Sequence, residues 1–288
     1  MDRFDRIPET ALGWHRAGRG AALATVVETW GSAPRRVGAQ LAVSGEGEIE
    51  GSVSGGCVEG AVVAEALEAI EAGAPRLLTF GVSDEDAFAV GLACGGTIRV
   101  LVEPVGTILP EALLETLVAH RTERRPVACV FDLEGARRPR LETEGHAERF
   151  RMDRSGVEAD GRSFVAVHNP PLRLIVVGAV HIAQALVPMA RRAGYDPVLI
   201  DPREAFGSEA RFPGERILHD WPDEAVAAVG LDTRTAVVLL THDPKLDDPA
   251  LAEALRSPAF YIGALGSTRT HAKRVARLTE AGFTEAEI

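Results

Sequence analysis

The apolar run LRLIVVGA, which begins at Leu172, constrains the fold of this chain more than any other segment. A strand that is covered on both faces is hydrophobic along its whole length, which is typical of parallel sheets. A predicted helix (182–193) follows this run, and a second apolar segment, DPVLIDPR, follows the helix. Further strands are predicted in RILHD, TAVVLLTHD and AFYIGALGS. This alternation of strand and helix predicts a doubly wound parallel sheet with right-handed crossovers.

The first hundred residues have a different pattern, in which β-branched segments alternate with turns. ALATVVET (22–29) and AQLAVS (39–44) predict two strands, and EIEGSVS predicts a third. A helix is predicted from Val58, where apolar residues recur at steps of four, and Gly73 and Pro75 predict its end. RLLTFGV and TIRVLVEPV predict two more strands. This part of the chain is therefore predicted to be a small α+β domain.

The chain has 288 residues, a length that suits about two domains. We predict an N-terminal α+β domain over residues 1–105, an intermediate segment and linker over 106–169, and a C-terminal Rossmann-like domain over 170–288. The intermediate segment carries a helix with Pro110 at its start and two strands, PVACVFDLEG and RSFVAVHNP. The charged stretch between these strands (137–144) predicts an exposed hairpin. The fold class is α/β.

The acidic balance of the chain limits its function. Acidic residues outnumber basic ones by 42 to 31, for a net charge of -11, so nucleic-acid binding, which needs a cationic surface, is not expected. Apolar runs fall short of the roughly 18 residues of a membrane-spanning helix, and the start of the chain does not resemble a secretion signal. Three widely spaced cysteines argue against a disulfide framework. We expect a cytoplasmic protein without a membrane partner, with Cys129 as a buried apolar residue.

Two cysteines lie in glycine-rich turns. Cys57 occurs in GSVSGGCVEG, at the predicted N-terminus of a helix, and Cys94 occurs in GLACGGT. The positive end of a helix favours the thiolate form of a cysteine. Arg35 and Arg36 in GSAPRR add cations that can bind an anion. These features suit a polyanionic ligand that coordinates or exchanges sulfur, and two buried turn cysteines are the alternative. The glycines expected to expose N–H groups and leave room beside sulfur are Gly55, Gly56, Gly95 and Gly96.

The C-terminal domain begins with a partial dinucleotide-binding pattern. Gly178 occupies the first position of the G-x-G-x-x-G/A fingerprint, whereas Val180 stands where a second glycine lets backbone approach a pyrophosphate. Asp201 follows at close to the roughly 20-residue spacing of the acid that binds ribose. His181, on the first turn of the next helix, is a candidate ligand contact or acid–base group. For the domain, NAD(P) binding and a Rossmann scaffold that binds no nucleotide are the two alternatives. For His181, the alternative is a residue at a helix start without a ligand role.

A second glycine loop, GALGSTRTHAKR, follows the last predicted strand. Gly263, Gly266 and Ser267 precede a helix, and free N–H groups at a helix start favour phosphate when cations are near. The cationic side chains predicted on this helix are Arg269, His271, Lys273 and Arg274. The loop therefore predicts an anion site, and a solvated basic helix face is the alternative.

Six segments together resemble one known family. They are VVETWGSAPRRVGAQLAV, EGSVSGGCVEGAVVAEA, GLACGGTIRVLVEP, VVGAVHIAQAL, LIDPR and YIGALGSTRTHAKR. In this order they are similar to the xanthine dehydrogenase accessory family, also called the XdhC/CoxI family. The resemblance covers both ends of the chain and is weakest over residues 106–169. It implies a small N-terminal domain followed by a Rossmann domain.

The resemblance also implies a function. Members of the family bind the molybdenum cofactor, a pyranopterin phosphate, and protect it while sulfido replaces a terminal oxo ligand. They then help deliver it to a molybdenum hydroxylase, with sulfur supplied by a cysteine desulfurase. For this chain, the resemblance implies that Cys57 and Cys94 hold molybdenum or relay sulfur, since thiolates are soft ligands. Arg35 would contact the phosphate. The expected protein is a cofactor chaperone rather than a turnover enzyme, with the apo-hydroxylase and the desulfurase as partners.

Two departures from the family pattern leave alternatives open. Many members have glycine where Val180 stands, which weakens the case for a nucleotide. Members usually continue past AGFTEAEI into a segment with a G-L-D-I-G-like run, so the chain is expected to be either a short member or a truncated one. The alternatives to a chaperone are an NAD(P)-dependent oxidoreductase and a scaffold that binds the hydroxylase without touching its cofactor. A homodimer is the expected assembly.

Overall fold

The computed structural model describes residues 6–81, 96–134 and 137–288. The chain divides into two compact units, and the boundary between them falls between Pro170 and Pro171. Both predicted segments before that boundary contribute to one core, because Leu23 and Leu101 share a hydrophobic cluster with Leu117. We call residues up to 170 the first unit and residues from 171 the second unit.

The first unit contains a five-stranded antiparallel sheet in the order β3-β2-β1-β5-β4. Its strands are β1 (Ala21–Trp30), β2 (Gln40–Ser44), β3 (Ile49–Gly51), β4 (Arg76–Phe80) and β5 (Thr97–Pro104). The helices of this unit are α1 (Ile7–Arg16), α2 (Glu59–Ala72), α3 (Glu111–Thr122) and α4 (Ala147–Met152). Each of the five predicted strands has a counterpart here, although β3 is shorter than the predicted segment EIEGSVS, whose last residues lie in the loop before α2. The predicted start and end of α2 are confirmed, and Gly73 ends α2 in the left-handed conformation with φ 62°.

Alternating side chains give this sheet two buried faces. On β1, Ala24 packs with Val62 of α2, whereas its neighbour Leu23 packs with Leu12 of α1 and Leu117 of α3. Successive residues of a strand point to opposite faces, so a sheet with helices on both sides is apolar along the whole strand. This explains why β1 and β2 are buried along almost their whole length.

A second sheet of the first unit has the strand order β7-β6-β9-β8. Its strands are β6 (Val127–Asp132), β7 (Arg140–Glu142), β8 (Gly156–Val157) and β9 (Ser163–His168). The predicted strands PVACVFDLEG and RSFVAVHNP are β6 and β9, which pair directly in antiparallel register. The region between them differs from the predicted hairpin: β7 pairs with β6, β8 pairs with β9, and α4 lies between β7 and β8 in the chain. Cys129 of β6 is buried, as expected.

The second unit confirms the predicted doubly wound parallel sheet. Its strands are β10 (Arg173–Val177), β11 (Asp196–Ile200), β12 (Ile217–Leu218), β13 (Thr235–Leu239) and β14 (Tyr261–Ala264). Its helices are α5 (His181–Arg192), α6 (Pro222–Val229), α7 (Pro244–Leu255) and α8 (Thr268–Glu280). The strand order β12-β11-β10-β13-β14, with every neighbouring pair parallel, is that of a Rossmann-like sheet.

The crevice of this sheet lies at the carboxyl end of the central strand, β10. β10 is buried along its whole length between β11 and β13, so its last residue, Val177, is followed by a loop at the point where strand order reverses. Ligands of such sheets bind at this point. Gly178 begins the loop with φ 107°, and a Cβ there would lie 2.6 Å from the Thr241 side chain. Within the described ranges, none of the helices has the length and apolarity needed to span a bilayer.

Candidate functional site

The loop before α2, residues 52–58, is organised around the carboxylate of Glu59; we call it the cysteine loop. This carboxylate accepts six hydrogen bonds from residues 52–56. The donors include the Ser52 hydroxyl at 2.6 Å, the Ser54 amide at 2.9 Å and the Gly56 amide at 2.8 Å. Burial raises the pKa of Glu59, but these hydrogen bonds outweigh burial and lower the pKa to about 2. The loop is therefore closed around an anion that belongs to the chain itself.

This arrangement corrects one expectation about the glycine pair. The N–H groups of Gly55 and Gly56 were expected to be exposed to a ligand, but both donate to Glu59. Their conformations still require glycine, with φ 79° and 116°. A Cβ built at Gly56 would have no atom within 4 Å outside its own chain neighbours, so there is open space at this glycine.

Cys57 is a free and exposed thiol. It lies two residues before the first residue of α2, and the N–H of the intervening Val58 donates to the Ser54 hydroxyl at 3.0 Å. The alternative of a buried turn cysteine therefore does not apply to Cys57. Cys94 and Gly95 lie outside the described residues. Roles for Cys57 and Cys94 in catalysis or metal binding stay predictions.

The loop between β1 and β2, residues 31–38, contacts both the cysteine loop and the residue that precedes β5; we call it the arginine loop. Arg35 Nε donates to the carbonyl oxygen of Ser52 at 3.1 Å, and a Cβ at Gly55 would lie 3.8 Å from Pro34. On the other side, a Cβ at Gly96 would collide with the carbonyl oxygens of Ser32 and Trp30. The structure thus brings three predicted motifs, GSAPRR, SGGC and the end of ACGG, against one another.

A cavity of about 1110 Å³ adjoins the arginine loop; we call it the large cavity. Its walls come from residues 27–37 and 145–158 of the first unit. Trp30 and Met152 line it with exposed fractions of 50% and 52%. Arg36 and Arg154 line it too, and neither guanidinium pairs with an acid in the described part of the chain. The cavity therefore combines apolar surface with two arginines that have no acidic partner in those ranges.

Most of the other charged groups of this wall are paired with a group of opposite charge. Glu28 pairs with Arg99, Arg149 Nε contacts Glu158 at 2.9 Å, and Glu148 contacts Arg151 at 2.7 Å. Asp153, another acid of this wall, accepts from the Asn169 side-chain amide at 2.8 Å. Paired charges attract a ligand less than unpaired ones do, so Arg36 and Arg154 are the cations of this wall that remain available to an anion. Sequence reasoning identified Arg36 but missed Trp30, Arg154 and Glu59. An acid at a helix start was the available signal for Glu59.

In the second unit, Asp201 already has a full set of partners. Its buried carboxylate accepts hydrogen bonds from the Ala179 amide at 2.8 Å and from the backbone and guanidinium of Arg203. Burial raises the pKa of Asp201, but the hydrogen bonds from Arg203 outweigh burial, and the pKa lies below its ordinary value. A ribose would have to displace Arg203. His181, exposed at the first residue of α5, follows Val180. Ligand roles for Gly178, His181 and Asp201 stay predictions.

The loop after β14 forms a capped helix start. Ser267 caps α8 by accepting from the Thr270 amide at 3.2 Å, and a Cβ at Gly266 would lie 3.2 Å from the Thr270 side chain. Arg274 differs from expectation, because it is buried and its guanidinium lies 3.3 Å from the buried carboxylate of Asp247. The exposed basic residues of this helix start are Arg269, His271 and Lys273. An anion site at Gly263, Gly266 and Ser267 stays a prediction without Arg274.

Metal binding has no preformed site among the residues that the structure describes. In those ranges, no group of three or more histidine, cysteine, aspartate or glutamate side chains is arranged to hold a metal ion. Within those ranges, a metal bound by Cys57 would therefore have to bring other donors with it. A metal carried inside a cofactor meets that condition, because the cofactor supplies most of the ligands.

These features define a class: a two-unit α/β protein with a Rossmann-like second unit and an exposed, glycine-flanked cysteine in the first. Family comparisons agree with this class. The model of the XdhC and CoxI family matches residues 14–81, and the model of the XdhC Rossmann domain matches residues 174–288. The chain belongs to the XdhC/CoxI family.

The similarity to known proteins covers most of the chain. Molybdenum cofactor insertion chaperone PaoD of Escherichia coli (strain K12) is 34% identical over 271 residues, which cover 94% of this chain and 74% of PaoD. A protein of Bacillus subtilis (strain 168) named as a probable xanthine dehydrogenase component is 25% identical over 263 residues, or 86% of this chain and 79% of that protein. A crystal structure of a xanthine dehydrogenase from Bacillus halodurans has the same fold, with a TM-score of 0.74, 24% identity, and coverage of 93% of this chain and 84% of that one.

Proposed function

We propose that this protein binds the molybdenum cofactor, holds it for sulfuration and delivers it to a molybdenum hydroxylase of the xanthine dehydrogenase type. The observation that carries the proposal is the contact of the arginine loop with both the cysteine loop and Gly96. This contact gathers the motifs of the family around one exposed thiol. Membership of the family and similarity to a protein named as a molybdenum cofactor insertion chaperone support it.

The residues of the first unit fit the chemistry of this ligand. Cys57 offers a soft sulfur donor to molybdenum, and the open space beside Gly56 admits a bulky group. The large cavity exceeds the usual volume of a small-molecule site. In the proposal, Trp30 packs against the pterin rings, and Arg36 and Arg154 hold the phosphate.

The chain's part in the process is to bind and to shield. The walls of the large cavity exclude bulk water from one side of the cofactor, and Cys57 keeps the metal end at the cysteine loop. A cysteine desulfurase supplies the sulfur, and the apo-hydroxylase receives the finished cofactor. We therefore describe the protein as an accessory chaperone acting in the cytoplasm, with Cys94 as the second proposed sulfur contact.

A retention experiment tests the proposal. The purified chain is mixed with molybdenum cofactor, passed through a desalting column, and assayed for bound molybdenum and for pterin fluorescence after oxidation. We expect the parent protein to retain both. Cys57→Ala should lower molybdenum retention about tenfold, and the double variant Arg36→Ala/Arg154→Ala should lower pterin retention by a similar factor. Arg151→Ala is the matched control, because that arginine is exposed and paired with Glu148.

The outcomes separate the function from the residue assignments. Failure of the parent protein to retain any cofactor would contradict the proposed function. Full retention by the parent and by Cys57→Ala would contradict only the role of that cysteine. Delivery is measured separately, as recovery of activity by an apo-hydroxylase incubated with the loaded chain. Loaded chain that leaves the apo-hydroxylase inactive would contradict the delivery step.

A further inference from the structure

Glu103 is a buried acid that the proposed function does not use. It lies on β5, one residue before the strand ends, and only 4% of its surface is exposed. Its Oε2 atom has no hydrogen-bond partner among the residues that the structure describes. Burial raises the pKa of Glu103 to about 8. A buried polar group that lacks a partner destabilises the fold, so such a group calls for an explanation.

A cavity beside Glu103 offers an explanation for this unpartnered acid; we call it the Glu103 cavity. Its volume is about 390 Å³, within the range of small-molecule sites. The apolar part of its lining consists of Pro75, Leu77, Leu101, Ile108 and Leu133. Glu103 and Thr107 add polar groups to this lining. The other lining residues are charged, so apolar walls and polar groups converge on this cavity, as in sites for small molecules.

The charged residues of the lining divide into a paired set and an unpaired set. Arg162 holds Asp132 at 2.8 Å and Glu134 at 3.0 Å, and Arg76 holds Glu68 at 2.8 Å. Arg137 and Arg138 are exposed, and their guanidinium groups have no acidic partner within the described ranges. The cavity thus has an unsatisfied carboxyl group at a buried position and two unpaired cations at an exposed one.

We propose that the Glu103 cavity binds a phosphorylated molecule with a 2-amino-4-oxopyrimidine ring, the ring shared by guanine nucleotides and pterin phosphates. The ring's amino group and adjacent ring N–H form a two-donor edge that matches the two oxygens of a carboxylate. Glu103 accepts this edge, the apolar walls cover the ring faces, and Arg137 and Arg138 bind the phosphate. Donors of this kind stabilise the ionised carboxylate, so such a ligand gives Glu103 Oε2 the hydrogen-bond partner that it lacks among the described residues.

This site is separate from the one used in the proposed function. Glu103 lies six residues along β5 from Thr97, which at the usual rise of a strand is roughly 20 Å. The cysteine and arginine loops lie at the Thr97 end of the strand, next to Gly96. A ligand at Glu103 therefore does not contact Cys57, and the inference stands or falls independently of cofactor retention.

Calorimetric titration of the full chain tests this inference, with GMP as the first probe. We expect GMP to bind, IMP to bind about tenfold more weakly because it lacks the amino group, and AMP to give no detectable heat. Neopterin phosphate distinguishes the second source of the same ring: binding that is tighter than that of GMP and is weakened by Glu103→Gln would identify a pterin phosphate as the preferred ligand of this cavity. If all these probes failed to bind at millimolar concentration, the inference would be wrong.

Variants assign the binding to the cavity. Glu103→Gln keeps the size of the side chain but cannot accept both donors, so we expect GMP binding to weaken about tenfold. Arg137→Ala/Arg138→Ala should weaken GMP binding but leave the response to guanosine unchanged. Arg151→Ala is the control and should bind GMP normally. GMP binding that Glu103→Gln leaves unchanged, in a variant with the parent's thermal midpoint, would overturn the assignment.

Discussion

Glu59 shows how a single side chain can determine the shape of a functional loop. Its carboxylate holds the amides of residues 53–56 and two serine hydroxyls, so Cys57 projects from a structured turn rather than from a flexible one. The sequence alone shows an acid at a helix start, which usually stabilises only the helix. Here the same acid also orders the turn that precedes the helix.

We predict that Glu59→Ala lowers the free energy of unfolding of the first unit by roughly 2–4 kcal/mol, because several buried donors lose their acceptor. The control is Glu68→Gln on the same helix, an exposed site where a change within about 0.5 kcal/mol is expected. Denaturant unfolding, followed by hydrogen exchange in β1 and α2, measures both. Equal stability of the two variants would contradict the organising role of Glu59.

The same carboxylate predicts a pH dependence. The pKa of Glu59 is about 2 in the folded protein and 4.5 ordinarily. Its stabilising contribution is therefore complete above pH 4.5 and is lost as pH falls toward 2. In Glu59→Gln this component should be missing, so the difference in stability between parent and variant should shrink steadily across that window. A difference that stays constant from about pH 5 to about pH 2.5 would refute the prediction.

The cysteines differ in accessibility, and this difference gives a further prediction. Cys57 is exposed, whereas Cys129 is buried and its pKa is raised well above the ordinary value by burial and then by nearby Glu103. In the native protein, iodoacetamide should modify Cys57 at least roughly a hundredfold faster than Cys129. Peptide mass spectrometry over time measures the two rates. In denaturant the two rates should converge, and similar rates in the native protein would contradict the structure.

At the scale of the elements, Gly96 is the contact point between β5 and the arginine loop. A Cβ at this position would lie 2.9 Å from the Trp30 carbonyl oxygen and closer still to that of Ser32. We predict that Gly96→Ala destabilises the first unit by about 1–3 kcal/mol, since backbone must move. Gly60→Ala is the matched control: Gly60 lies in α2, where an added methyl carbon would have no atom within 4 Å, and alanine should stabilise that helix by up to about 1 kcal/mol. Thermal unfolding compares the two.

How far the sequence predicts these elements depends on the range of the interactions involved. β1, α2 and β10 were predictable because their apolar periodicity and their glycine or proline ends are local signals. The region between β6 and β9 was not, because β7 and β8 are only three and two residues long and form by pairing with longer strands. The roles of Glu59 and Arg274 also depend on folding, since only the folded chain shows that each charge is already occupied.

At the scale of the whole molecule, two units with separate cores carry different parts of the family pattern. The first unit brings the cysteine and arginine motifs together, and the second provides the Rossmann-like sheet. In the second unit the ion pair between Arg274 and Asp247 connects α8 to α7 inside the core, where burial raises the pKa of Asp247. The stability of one unit can therefore be changed by mutation, with the other unit as an internal reference.

We predict that Arg274→Met lowers the stability of the second unit by about 3–5 kcal/mol, because Asp247 is left buried without its cation. Hydrogen exchange in α7 and β13 should accelerate, and β1 and β5 provide the reference within the same sample. Lys273→Met, at an exposed neighbouring position, is the control and should change exchange little. Unchanged protection of α7 in Arg274→Met would show that the pair contributes nothing.

The exposed indole of Trp30 has a practical consequence. Pterins absorb near-ultraviolet light in the region where tryptophan fluoresces, so a pterin seated against Trp30 would quench its emission by energy transfer. The chain has two other tryptophans, Trp14 and Trp221. With both replaced by phenylalanine, the protein would report loading and release of its ligand optically, in real time and without an added label.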